Sequence, residues 1–312
     1  MIWREFKAMG TEIVICADLE PEKNNLLIEM ENEIVDFESR FSRFIEGNEL
    51  STFNNSTLEK KEISKTMQAL LRESEHYYES TKGVFDLTII SNLEAFGYDK
   101  TFEKAREENS EEINLEKVQG TFNNRPKMDD IKISNNEITS PLGLKIDFGG
   151  IGKGFVIDYL SQQNLSHVEN YWISAGGDII VSGNQKHAIG WDIGVQNPNE
   201  PDKNVFSINT QGEKIGIATS GIIKRAGKKG DFDWHHIIDP RSGLPVKNNI
   251  LSVTAISSSA LRADIFAKTV LILGEKAGIE FIEQELDSAC IIFLKDKEPI
   301  FSQRAGLYLK NI

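Results

Sequence analysis

Between residues 171 and 257 the chain carries apolar, strand-like runs at 171–182, 191–196, 214–218 and 250–257, with no helical stretch after each one. That spacing excludes a repeating strand–helix–strand layout, because each parallel strand pair needs a crossover of a dozen or more residues. A mixed α+β architecture is therefore expected. Residues 11–18 (TEIVICAD) alternate like a half-buried strand. Residues 21–41 place Leu26, Leu27, Met30, Ile34, Phe37 and Phe41 at helical spacing. A second helix is predicted over 64–82, with Met67, Leu70, Leu71 and Tyr78 on its apolar face and Gly83 closing it. A third follows Gly154 through Phe155 and Leu160, a fourth covers 258–273, and a fifth carries Ala277, Phe281 and Ile282. Runs at 289–294 and 305–310 complete the pattern, and the polar stretch 100–137 reads as an insertion or peripheral arm. No Pro/Gly/Ser-rich linker divides the chain, so residues 1–312 read as a single unit.

Charge narrows the function. A formal net charge of -13 opposes non-specific binding to nucleic acid and to anionic membranes, since both surfaces are negative. The densest positive cluster is Lys224, Arg225, Lys228 and Lys229, which reads equally well as a phosphate pocket or as a solvated loop. Cys16 and Cys290 lie in apolar runs without a CxxC pair, so buried thiols are expected rather than a disulfide framework or a zinc site. The opening MIWREFKAMG has no apolar core of a signal sequence, and no apolar run reaches the ~18–20 residues of a membrane span. The expectation is a cytoplasmic protein.

Four segments carry candidate chemistry. In KIDFGGIGKGFVID (145–158), a strand end with Asp147 runs through a glycine-rich turn into a helix. Such turns let backbone N–H groups meet a phosphate, and Lys153 adds a full charge. The Walker A and Rossmann patterns both fail there, which leaves a ligand loop and a tight structural turn side by side. In SAGGD (174–178), two glycines sit inside an apolar strand, marking either a bulge or a close approach. WHHIIDPRSG (234–243) offers two histidines suited to proton transfer, with nothing local to choose between them. In SSSALRADIFAK (257–268), Asp264 and Lys268 are four apart on a helix and share a face.

Taken in order, MGTEIVI, FSRFIEGNELSTFN, GVFDLTI, IDFGGIGKGFVID, SAGGDIIVSG, ATSG, HHIIDPRSG and ALRADIFAKTVLILG resemble the successive motifs of the ApbE family, from about residue 9 to 274. The resemblance implies a T-fold-like α+β structure with mixed sheets, packed helices and an FAD cleft. It implies transfer of FMN from FAD to a Thr or Ser hydroxyl on a target flavoprotein, with release of AMP. Position by position it implies flavin contacts at Met9, Phe44, Val84, Phe85 and Asp86. Asp147 and Lys153 match the ribityl and phosphate turn, and Gly176, Gly177, Asp178, Ser220 and Ile238 match the lining of the same cleft. His236 matches the general base. Magnesium would be held by the Gly150 carbonyl, the Asp264 carboxylate and a Thr four residues further on.

Two positions depart from that pattern. Phe44 stands where a Tyr is frequent, which keeps the aromatic face and loses a hydroxyl. Lys268 stands where the magnesium-binding Thr belongs, and Thr269 is about 100° further around the helix. Magnesium is therefore expected to bind weakly or to be displaced, with Lys268 on Asp264 or on the FAD pyrophosphate. The opposing arrangement keeps the ion on Gly150 and Asp264 and turns Lys268 away. Two other functions stay open at this level: an FAD-delivery module without transferase activity, and a metal-dependent FAD pyrophosphatase.

Overall fold

A computed structural model describes residues 1–96, 98, 115–223, 226–229 and 232–310. Lys224 and Arg225 of the basic cluster, and residues 100–114 of the polar stretch, lie outside the described residues. The chain forms two compact units, one from Met1–Glu38, Ile151–Gly221 and Asn249–Ile312, the other from Ser39–Gly150 and Ile222–Asn248. None of the crossings carries a linker composition, so nothing in the sequence marks them. No described helix is long and apolar enough to cross a membrane.

The first unit is built on an eight-stranded sheet whose strands lie side by side in chain order. They are β1 (Ile2–Ala8), β2 (Thr11–Ala17), β3 (Tyr171–Ala175), β4 (Asp178–Ser182), β5 (Ile215–Gly221), β6 (Ile250–Ser257), β7 (Ala289–Leu294) and β8 (Ile300–Phe301). Every neighbouring pair is antiparallel. The stretch 171–182, read as one strand, is thus a hairpin. Ala175 pairs with Asp178, and Gly176 and Gly177 form the two-residue turn between them. Such a turn needs positive φ at both central residues, and these adopt 62° and 99°. The run 305–310 is also different from its reading: Gln303–Leu307 is a 3-10 turn and only Leu309–Lys310 is extended. Of that run's apolar residues Ala305 is buried while Leu307 is exposed, which is not the alternation a half-buried strand shows.

Three helices matter for the site. α1 (Asn24–Phe41) follows a 3-10 turn at Pro21–Lys23, α2 is Gly152–Gln163 and α3 is Ala260–Leu273. α3 is buried on nearly every side, with eleven of its fourteen residues in the interior. Its start is fixed twice over. Ser259 caps it by accepting a hydrogen bond from the Arg262 N–H at 3.1 Å. Asp158 of α2 accepts from the N–H groups of Ala260 at 3.0 Å and Leu261 at 2.9 Å. The close approach this needs runs through Gly154, where an added Cβ would lie 2.6 Å from Leu261 Cα.

The second unit contains the helix Lys65–Ser80, capped by Ser64 and burying Met67, Leu70, Leu71 and Tyr77. A three-stranded antiparallel sheet pairs Lys60–Glu62 and Lys132–Ser134 with Glu137–Thr139. The described part of the polar stretch contributes to this interior. Val118 of the helix Leu115–Asn124 packs with Leu93, Phe96 and Ile238, and Met128 and Ile131 are buried as well.

Gly154→Ala is expected to destabilise the fold by about 1–3 kcal/mol, because the new methyl group meets backbone that cannot rotate away. Urea unfolding of the variant beside the native protein measures this.

Candidate active site

In the first unit, strand register gathers the sequence candidates at one end of the sheet. Met9 and Gly10 form the β1–β2 turn, with φ of 54° and 66°, and Ala8 pairs with Thr11 across it. Ile13 pairs with Ala175, which sets the Gly176–Gly177 turn beside that first turn, and the Gly176 N–H donates to the Glu12 carbonyl at 3.0 Å. Ile217 pairs with Ile179, so Ser220, three residues on, also lies toward that end. α2 begins there too, since a Cβ on Gly152 would lie 3.6 Å from Met9 Cε.

Four charged side chains meet at this end. Lys153, in the first turn of α2, pairs with Asp178 at the start of β4. Lys268 pairs with Asp264 one helical turn away on α3. The carboxylates are the buried members, at 3% and 4% exposure, and the lysines are more accessible, at 21% and 19%. Burial pushes the Asp178 carboxyl up, as does the neighbouring charge of Asp264, while Lys153 and Lys268 pull it down. The four groups therefore form one electrostatic cluster whose formal charges cancel.

In the second unit, Arg43 lies between two rings, with its guanidinium carbon 4.6 Å from the centroids of both Phe44 and Tyr98. Its Nε is 3.8 Å from Asp147 Oδ1, and its Nη2 is buried without a hydrogen-bond partner among the described residues. The Tyr98 ring in turn faces His236, centroid to centroid at 6.5 Å. Phe44, Asp147 and His236 are thus linked through Arg43 and Tyr98, neither of which stood out in the sequence. Arg43 lies within the FSRF segment beside Phe44, a cue the sequence did hold, whereas Tyr98 sits in a segment with no periodicity.

The two histidines separate cleanly. His235 is buried, with Nε2 bonded to the Val246 carbonyl at 2.9 Å and Nδ1 accepting from the Ile237 N–H at 3.2 Å. That pattern requires the neutral ring, and burial lowers its pKa despite the opposing bond to Val246. His236 is half-buried and turned to the aromatic group.

Other candidates in this unit are largely interior. Phe44 is 41% exposed, whereas Val84, Phe85 and Ile238 are at most 7% exposed. Asp86 caps the 3-10 turn Leu87–Ile89 through the Thr88 N–H at 2.8 Å and pairs with Arg125 at 2.9 Å. Arg125 also reaches the Thr88 hydroxyl at 3.1 Å.

The residues present do not fit a magnesium site. The ion takes near-octahedral oxygen ligands at short range. One oxygen of Asp264 is taken by the Lys268 ammonium. Thr269 is 1% exposed and its hydroxyl donates to the Ile265 carbonyl at 2.8 Å, back onto its own helix.

The model of the ApbE family matches residues 9–292. The chain belongs to the ApbE family. Among relatives, the FAD:protein FMN transferase of Vibrio cholerae is 26% identical over 269 residues, covering 84% of this chain and 77% of that one. The FAD:protein FMN transferase of Haemophilus influenzae is 25% identical over 278 residues, covering 86% and 78%. Among solved structures, the ApbE protein of Thermotoga maritima superposes with a TM-score of 0.87 at 23% identity, over 99% of both chains. The flavin transferase ApbE of Vibrio cholerae superposes with a TM-score of 0.80 at 22% identity, over 98% of both. These two structures establish that the ApbE fold, with its helices and antiparallel sheets, is the fold of this chain.

Two stability tests follow from the second unit of this ApbE protein. Arg125→Met should cost about 3–5 kcal/mol, because it leaves the buried Asp86 carboxylate without its charge partner; denaturant unfolding gives the value. His235 has a folded pKa below its unfolded value, so its contribution to stability is present above the ordinary 6.5 and is lost as pH falls through the folded pKa. His235→Gln should therefore flatten the loss of stability on the acid side of pH 6.5, read from unfolding midpoints across pH.

Proposed function

We propose that this chain transfers FMN from FAD to a Thr or Ser hydroxyl of a target flavoprotein and releases AMP. The observation that carries this reading is the division between the two histidines. His235 spends both ring nitrogens on the backbone, while His236 stands beside Tyr98 in the group that holds Phe44, Arg43 and Asp147. Relatives named FAD:protein FMN transferase support the same reaction.

In the proposed step, His236 takes the proton of the acceptor hydroxyl. The hydroxyl oxygen forms a bond to the FMN-side phosphorus, and the bond from that phosphorus to the bridging oxygen breaks. AMP leaves with the electron pair. Phe44 supplies a ring face for the isoalloxazine, and Asp147 serves the ribityl chain. Met9, Gly176, Gly177, Asp178 and Ser220 form the first unit's contribution to flavin binding, and in the second unit Val84, Phe85, Asp86 and Ile238 contribute as interior residues. Lys153 faces the diphosphate, where fixed positive charge stabilises the charge that develops as the bridge breaks. No step of this mechanism passes through a metal ion. The acceptor in this reading is a cytoplasmic flavoprotein.

Incubation with FAD and a flavoprotein acceptor, followed by fluorescence of the denatured acceptor, tests the proposal. Covalent fluorescence is expected with the native chain. His236→Ala should lower the rate by about 10²–10⁴-fold, the usual contribution of a general base, while FAD still binds. His235→Gln should affect stability far more than rate. The reverse ranking would overturn the assignment of the base, and free FMN with AMP in place of labelled acceptor would make the chain a pyrophosphatase.

A further inference from the structure

The sheet-end cluster of the first unit holds two carboxylates and two ammonium groups, each carboxylate already matched. Asp178 is held by Lys153, and Asp264 by Lys268. Both acids are buried behind lysines that keep about a fifth of their surface open. Such an arrangement presents positive charge outward from a neutral cluster, which suits an anion with several oxygens. It suits a divalent cation poorly, because the ion would sit a few Å from two fixed ammonium groups. The second oxygen of Asp264 has no hydrogen-bond partner among the described residues, and it is where such an ion would have to enter. It belongs to the carboxylate that Lys268 already occupies.

We propose that Lys268 takes the place of the divalent ion, with its ammonium, fixed by buried Asp264, meeting the diphosphate of FAD alongside Lys153. Asp264 is then a counter-ion that positions Lys268, and not a metal ligand. One ammonium supplies a single charge where the ion would supply two. A lysine suits the role because its compact ammonium carries three donors and can serve the Asp264 carboxylate and a diphosphate oxygen together. The inference rests on the transferase reading for the identity of the anion, but the exclusion of a divalent ion stands on the cluster alone.

The test uses the full chain in three forms: native, Lys268→Thr and Lys268→Met. In the first arm, Mn²⁺ is titrated without FAD and free Mn²⁺ is followed by electron paramagnetic resonance. The native protein should leave Mn²⁺ free, whereas Lys268→Thr, with a hydroxyl beside an unblocked Asp264, should bind it about tenfold or more tightly. In the second arm, FAD binding is followed by flavin fluorescence in excess chelator and then in magnesium. Native affinity should be the same in both. Lys268→Thr should weaken binding about tenfold or more in chelator, the size of one lost charge-assisted contact, and magnesium should restore it. Lys268→Met should weaken it equally, with less recovery, because it adds no oxygen ligand. Tight Mn²⁺ binding by the native protein, abolished in Asp264→Asn, would overturn the exchange of lysine for metal and leave the transferase reading standing. Failure of the native protein to bind FAD in either condition would overturn the transferase reading, and the Mn²⁺ arm would still decide whether the cluster admits a metal.

Discussion

The crossing of α2 over the start of α3 is the contact on which the charged cluster of the first unit depends. Gly154 allows it, since a side chain there would drive into Leu261 backbone, and Asp158 locks it by accepting from the first N–H groups of α3. Those N–H groups have no partner within the helix, so a buried helix start without an acceptor would be costly. Lys153, one residue before Gly154, pairs with Asp178, and Asp264, one turn into α3, is close enough to Asp178 to push its carboxyl up. The steric requirement at residue 154 therefore bears on the two helices that carry Lys153, Asp264 and Lys268.

Burying those charges is unfavourable in itself. Taking a carboxylate out of water costs several kcal/mol, and a partner within hydrogen-bonding distance roughly offsets it. The cluster is thus poorly explained as a device for stability, which well-packed apolar residues would supply at least as well. It is better explained as a device for holding two ammonium groups in fixed places before the ligand arrives. Preorganised charge acts without rearrangement at the moment of reaction, which is where charge stabilisation has most effect. In the second unit, Arg43 repeats the theme: a guanidinium held between two rings, with one nitrogen left without a partner among the described residues.

Much of this was legible in the sequence. Strands and helices with clear period were placed to within a few residues, as with β6 at Ile250–Ser257 and α3 at Ala260–Leu273. The i,i+4 relation of Asp264 and Lys268 was read directly, and the ion pair formed. Failures came where local pattern is silent about partners. SAGGD looked like a strand interior because its flanks are apolar, but two adjacent glycines with positive φ make a hairpin turn. The choice between His235 and His236 depends on the Val246 carbonyl eleven residues away, which no local motif encodes. Tyr98 and Arg43 acquire meaning only through each other, across more than fifty residues of chain. Val84, Phe85 and Ile238 matched family positions, yet motif matching does not say that their side chains lie inside.

The activity comes down to one bond, the phosphoester by which this chain attaches FMN to protein. It is tested most directly in the cell that makes it, by removing the gene and looking for flavin that stays on polypeptides after denaturation. At least one flavoprotein should then lose FMN from a Thr or Ser residue, as mapped by mass spectrometry. The native gene should restore it and the His236→Ala form should not. An unchanged set of covalently flavinylated proteins after deletion would contradict this activity.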